Sequence, residues 1–276
     1  MCCSRRARAA ALALVLAAGC TAGQSSSPPP SRPPVRYVSL GDSYSAGGGL
    51  AGGTRPCGRA PGAYPALVAQ WAGAAVAEHA CNGATTASVL DVEQAPGVGR
   101  QIDFVTGDAG AVTISIGGND LGFTQVMQQC ALGSEPCTRL EAQVARDLAA
   151  LPAKLRAVYG EIRRRAPAAA VLVVGYPQLV VDPEASGLAS CAGFTAEESR
   201  WVREKGGQLA AVIRAEAEAA GARYLDAAAA FAGHEACAAE PWMEGVNFVN
   251  IAGSYHPNAA GHEQLARLVQ AAFPGR

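Results

Sequence analysis

This 276-residue chain carries little charge: 22 Lys and Arg stand against 23 Asp and Glu, a formal net charge of −1. With no basic patch or acidic run, it has no electrostatic reason to bind nucleic acid or an acidic membrane surface. Aromatic residues are scarce, with six Phe and three Trp, so no aromatic tunnel or lid can be named. No Cys-x-x-Cys pair and no Cys/His cluster at metal spacing occurs, which argues against a zinc site. The glycine-rich run from Gly47 to Gly53 lacks a following Gly-Lys-Ser/Thr and reads as a loop, not a phosphate cradle. No cofactor is expected. The apolar stretch from Ala9 to Ala18 falls short of the about 20 residues that span a bilayer.

That stretch follows Arg5, Arg6 and Arg8 and reads as an export signal covering residues 1–20. Leu16-Ala17-Ala18-Gly19-Cys20 is similar to a bacterial lipobox, in which Cys20 carries lipid and becomes the mature N-terminus. The alternative is an ordinary signal peptide with a chance cysteine. The chain is expected outside the cell, secreted or lipid-anchored through Cys20. Residues 21–34 form a Ser/Pro-rich linker in which Ser25–Pro34 is a stiff extended tether, and the folded domain spans 35–276. Of nine cysteines, Cys2 and Cys3 leave with the signal and Cys20 is assigned to lipid. Six remain: Cys57, Cys81, Cys130, Cys137, Cys191 and Cys237. An even count in an exported chain implies disulfides, with fifteen possible pairings.

Within the domain, short apolar runs predict strands at Val35–Leu40, Ala111–Ile116 and Ala170–Val174, with weaker ones at Val76–His79 and Ala222–Leu225. Between them the spacing is helical. Leu140, Val144, Leu148, Leu151, Leu155, Val158 and Ile162 mark one apolar face, which Pro152 is expected to kink or split. Thr195 to Glu198 is a capping box opening a helix towards Gly221, and a last helix runs from Pro257 to Phe273. Buried strands alternating with helices predict an α/β fold, a parallel sheet covered on both faces, with ligands at the strands' carboxyl ends.

The three strong strands end in unusual turns. Gly41-Asp42-Ser43-Tyr44-Ser45 sets a serine directly after a buried strand, where its amide and hydroxyl can face the same way. It is not a G-x-S-x-G elbow, since Ser45 replaces the second glycine. Asn82-Gly83-Ala84 offers a glycine amide, Gly117-Gly118-Asn119-Asp120 an Asn side chain at a strand end, and Ser254-Tyr255-His256-Pro257 a histidine just before a helix. These four segments, in this order, resemble blocks I, II, III and V of the SGNH (GDSL-type) hydrolases over Val38 to His256.

The resemblance implies a three-layer α/β/α sandwich with a flavodoxin-like parallel sheet and hydrolysis of carboxylic esters. It assigns Ser43 as nucleophile and His256 as general base. The Ser43 amide, the Gly83 amide and the Asn119 side chain would form the oxyanion hole. His79, His234 and His262 are read as surface or packing residues, and Asp42 and Asp120 as turn and cap residues.

Many of these enzymes carry Asp three residues before the histidine, where this chain has Gly253. The chain is similar to a secreted three-disulfide lipase and esterase subgroup, some of whose members use a backbone carbonyl there. That likeness implies the Gly253 carbonyl as the acceptor orienting His256, with an acid such as Asp226, Glu240 or Glu244 as the alternative. It also implies the pairs Cys57–Cys81, Cys130–Cys137 and Cys191–Cys237. The expected partner is a small-molecule or lipid ester, and the expected state is a monomer. Competing readings are a phospholipase, a polysaccharide deacetylase, and a non-catalytic lipid- or glycan-binding lipoprotein of the same fold.

Overall fold

The computed structural model describes residues 36–72 and 75–273. The export signal, Cys20 and the tether lie outside these residues. Five parallel strands form the central sheet: β1 (Arg36–Gly41), β2 (Val76–Glu78), β3 (Ala109–Ser115), β4 (Ala170–Val174) and β7 (Arg223–Leu225), in the spatial order β2-β1-β3-β4-β7. Strands β5 (Ser190–Cys191) and β6 (Phe194–Thr195) pair separately as a small antiparallel ribbon. All five positions predicted for the sheet are occupied, with no end shifted by more than two residues and Ala170–Val174 unshifted.

Val38, Leu40, Val112, Ile114, Leu172 and Val173 are at most 1% exposed, as expected of strands covered on both faces. The helices Glu141–Arg165 and Ala196–Ala219 pack together, and so do Tyr64–Trp71 and Ala259–Ala272. They complete a three-layer α/β/α sandwich. The strand order is the flavodoxin-like one, whose direction reverses between β1 and β3, and ligands bind at the carboxyl ends of such a pair. Gly41 and Ser115 are partners at those ends.

Pro152 does not split its helix, which runs unbroken from Glu141 to Arg165. An interior proline costs about 3 kcal/mol. Seven side chains of this helix, from Val144 to Ile162, are buried, at about 1.5–3 kcal/mol each, so packing outweighs the lost backbone bond. The Thr195–Glu198 capping box forms in both directions. Glu198 uses its other oxygen to accept from the Cys137 amide at 3.1 Å, tying the second disulfide loop to the helix start.

The disulfides are Cys57–Cys81, Cys130–Cys137 and Cys191–Cys237. Each anchors a segment near the switch point. Cys57 accepts through its carbonyl from the Asn82 amide at 2.9 Å, beside Gly83. Cys130 lies near the end of the Phe123–Leu132 helix. Cys191 precedes Ala192, whose carbonyl accepts from Tyr255 Oη at 2.6 Å. Such crosslinks contribute about 2–4 kcal/mol each.

Candidate active site

The turn after β1 is held from several sides. Gly41 has φ +125°, and a side chain there would strike the Ser115 carbonyl. Gln101 grips it, accepting from the Gly41 amide at 2.7 Å and donating to its carbonyl at 2.9 Å. Asp42 then caps the short helix Ser43–Ala46 by accepting from the Tyr44 amide at 2.9 Å. The Asp42 amide reaches Ser115 O, and the Ser45 and Ala46 amides reach Asp42 O. Among the described residues the Ser43 amide is left with no acceptor. The Gly83 amide is likewise unpaired, while its neighbours Asn82 and Ala84 bond Cys57 O and Cys81 O.

Asn119 follows β3 at the start of a 3₁₀ turn. Its side-chain nitrogen donates one hydrogen to Ala84 O at 3.0 Å, which orients the amide and leaves the second hydrogen available. Asp120 fastens the same two segments, accepting from the Thr86 amide at 2.9 Å and the Thr86 hydroxyl at 2.7 Å. Three N–H donors from three segments, the Ser43 and Gly83 amides and Asn119 Nδ2, thus each keep a hydrogen to spare among the described residues.

His256 Nε2 lies 2.6 Å from Ser43 Oγ, although 213 residues separate them. Its other ring nitrogen, Nδ1, lies 2.8 Å from Ser254 O. A carbonyl only accepts, so Nδ1 carries the hydrogen and Nε2 presents a lone pair to the serine hydroxyl. Burial pushes the imidazole below its usual range, which keeps this neutral form populated. A hydroxyl so bonded can give up its proton as it attacks an electrophile.

The acceptor is Ser254, and this corrects the expectation for Gly253. The Gly253 carbonyl instead accepts from the His256 backbone amide at 3.2 Å and shapes the loop, while the ring hydrogen on Nδ1 goes to Ser254 O. Gly253 packs against Gly49: a Cβ on Gly49 would lie 2.1 Å from Gly253 Cα, whereas one on Gly253 would meet Asn250 Nδ2 at 3.2 Å and Gly49 Cα at 3.3 Å. Among the described residues the His256 ring nitrogens bond only Ser254 O and Ser43 Oγ, and no carboxylate. Asp226 caps its own helix and pairs with Arg214. Glu240 offers its carbonyl to His234, and the Glu244 amide bonds the His256 carbonyl.

Four contributors had no sequence signal specific enough to find them. Gly48 passes so close that a Cβ would meet Ser43 Cβ at 2.8 Å and His256 Nε2 at 3.2 Å; the glycine run is what lets the chain cross this pair. Tyr44 donates to the Tyr255 carbonyl at 2.6 Å, holding Tyr255 at φ +58° just before His256. Tyr176 donates to Asp42 Oδ2 at 2.5 Å and accepts from the Gly118 amide at 3.1 Å, bridging the turns that carry Ser43 and Asn119. Asp42 is thus more than a cap: burial pushes its carboxyl up to about 7, against the bonds from Tyr176 and the Tyr44 amide. The other histidines are packing residues, with His79 stacked on Phe104, His234 on Trp242 and His262 on Tyr64.

Ser43, Tyr44 and Asn119 open onto a cleft of about 730 Å³, mouth included, walled largely by Leu121, Phe123, Val126, Met127, Leu179, Trp201, Val202 and Leu209. Lys205 at its edge is paired with Glu141 at 2.7 Å and Glu204 at 3.1 Å. The wall is therefore predominantly apolar.

The GDSL-like Lipase/Acylhydrolase family matches residues 39–264, and the chain belongs to that family. It is a carboxylic ester hydrolase of the lipase and esterase class. It is 36% identical to Lipase 1 of Streptomyces coelicolor over 259 residues, covering 90% of this chain and 91% of that one. It is 37% identical to a lipase of Streptomyces rimosus, covering 83% and 82% respectively. Among solved structures it is similar to phospholipase A1 from Streptomyces albidoflavus, with a TM-score of 0.76 and 35% identity over 86% of this chain and 99% of that one. The extracellular lipase of Streptomyces rimosus gives a TM-score of 0.77 at 34% identity over 87% and 100%.

Proposed function

We propose that this chain is an exported serine ester hydrolase that cleaves acyl lipids through an acyl-enzyme on Ser43. The observation that carries this reading is the 2.6 Å bond from Ser43 Oγ to a neutral, carbonyl-oriented imidazole. In the first half-reaction Ser43 Oγ attacks the ester carbonyl carbon and its proton passes to His256 Nε2. The carbonyl oxygen, now negative, is met by the Ser43 amide, the Gly83 amide and Asn119 Nδ2. Collapse breaks the acyl carbon–oxygen bond, and the imidazolium returns the proton to the departing alcohol. Water then repeats the sequence, releases the acid and restores Ser43. The chemistry requires no cofactor.

The apolar cleft beside Ser43 supports an acyl chain as the group bound, and the lipase and phospholipase A1 names of the relatives agree with it. A polysaccharide substrate would favour a polar wall. A non-catalytic binding protein would have no use for the serine–imidazole bond. Three disulfides and an extracellular relative support export, with the domain acting as a monomer and Cys20 as a lipid anchor.

The test is hydrolysis of p-nitrophenyl esters from acetate to palmitate, with a phosphatidylcholine and an acetylated xylan alongside. Medium or long acyl esters should be preferred. Ser43→Ala should lower turnover by at least ~10³ and abolish fluorophosphonate labelling while leaving the fold intact. Labelling of another serine, or preference for acetylated xylan, would overturn the assignment. For the anchor, metabolic palmitate labelling should disappear in Cys20→Ala.

A further inference from the structure

Of the large apolar side chains exposed among the described residues, the four most exposed are Val249 at 99%, Phe248 at 77%, Ile251 at 60% and Leu132 at 57%. Three lie within four residues of one another, on the loop that leads into His256. Ile251 and Leu132 also line one and the same cavity together with Ser254, Tyr255 and His256. The most exposed apolar side chains therefore gather at the rim beside the imidazole, while Val92, Leu188 and Trp71, less exposed, lie apart from it.

The loop is built to present it. Asn247 Oδ1 accepts from the Val249 amide at 3.1 Å and the Asn250 amide at 2.9 Å, closing the turn. The Asn247 amide donates to Ser254 Oγ at 2.9 Å, and Asn250 Nδ2 donates to the Gly49 carbonyl at 2.6 Å. Polar side chains thus face inward to fix the backbone while Phe248 and Val249 face water. An ordinary surface loop does the reverse.

Charge is missing from the same place. No Asp, Glu, Lys or Arg occurs from 245 to 262, nor from 121 to 134, the two segments that frame this cavity. A rim made for an anionic membrane would carry Lys and Arg. A stable dimer needs about 800 Å² from each partner, more than four side chains supply, and would cover the opening beside His256. A lipid surface sets no such threshold of area or shape.

We propose that Leu132, Phe248, Val249 and Ile251 dock on the surface of an uncharged or zwitterionic lipid aggregate, setting the opening beside His256 against it. The proposal rests on the acyl-lipid reading of the Ser43 site. Docking takes the four side chains out of water and leaves the buried serine–imidazole pair unchanged, so its removal should affect aggregated substrate alone.

The experiment compares the full chain carrying Cys20→Ala with the same chain bearing Phe248→Ser/Val249→Ser or Val249→Glu. Co-sedimentation with phosphatidylcholine vesicles should weaken at least ~10-fold in both variants. Hydrolysis of monomeric p-nitrophenyl butyrate should stay within twofold. Val92→Ser, which removes an exposed side chain outside the rim, should leave both unchanged. Equal vesicle partition of wild type and variants would overturn the proposal. So would stronger wild-type binding to phosphatidylglycerol vesicles, or a wild-type dimer in sedimentation velocity that the double variant loses. If wild type hydrolyses no ester, the acyl-lipid reading falls instead, and vesicle partition still reads the rim separately.

Discussion

Replacing Tyr176 by Phe removes one hydroxyl from the cleft wall and breaks the bridge between two turns. Its oxygen donates to Asp42 Oδ2 at 2.5 Å and accepts from the Gly118 amide at 3.1 Å. Asp42 is 1% exposed and Tyr176 lines the cleft beside Ser43, so water cannot restore both bonds without entering the site. A hydrogen bond to an ionised partner contributes about 1.5–3 kcal/mol and one between neutral groups about 0.5–1.5 kcal/mol. Which figure applies depends on the charge of Asp42, whose carboxyl burial raises from 3.8 to about 7.

A carboxyl raised on folding gives a stability cost that is absent below its unfolded pKa, grows as pH rises, and levels off above the folded value. The Tyr176 bond favours the charged form, so its loss moves the folded pKa still higher and extends the cost to higher pH. The variant should therefore lose more stability at pH 9 than at pH 5, where the carboxyl is protonated in both proteins. At roughly 2–4 °C of Tm per kcal/mol for a domain of this size, calorimetry at the two pH values separates the cases. Turnover should also fall by about tenfold or more as the Ser43 and Asn119 turns lose their shared tie, with KM changed little. Equal Tm losses at both pH values, or full activity, would refute the reasoning.

Three further outcomes are expected. Asn119→Ala removes a preoriented donor and should lower kcat by about 10²–10³, measured on a soluble ester. Alanine substitution of Asp226, Glu240 or Glu244 should leave turnover within about tenfold, because a carbonyl orients the ring; a loss near the 10⁴ of a true triad acid in any one would restore a carboxylate to the mechanism. The acid limb of kcat/KM should fall below pH 6.5, since activity needs neutral His256 and burial depresses its pKa; activity is full above the folded pKa and lost as pH drops through it. A limb centred above 6.5 would point to an anion beside the ring.

The legible part of the site is the part whose signal is local. Ser43, Gly83, Asn119 and His256 each sit where a strand or loop meets a helix, and a few neighbouring residues mark such a junction. The acceptor for His256 was missed by one residue. Gly253 and Ser254 both offer carbonyls, and the choice depends on how the loop turns against Gly49. The split expected at Pro152 fails for a similar reason, since the burial that keeps its helix whole is supplied by elements elsewhere in the chain.

By itself the sequence determined the alternation of strand and helix, the reactive residue types and their order, because periodicity and turn chemistry act over a few residues. The tertiary structure alone decided which carbonyl faces the imidazole and that Tyr176 spans to Asp42, 134 residues away. It alone made Gly48 indispensable for lack of room and turned Phe248 outward. These depend on the register of β1 against β3 and on the packing of loops above them, and such distances exist only once the strands have paired.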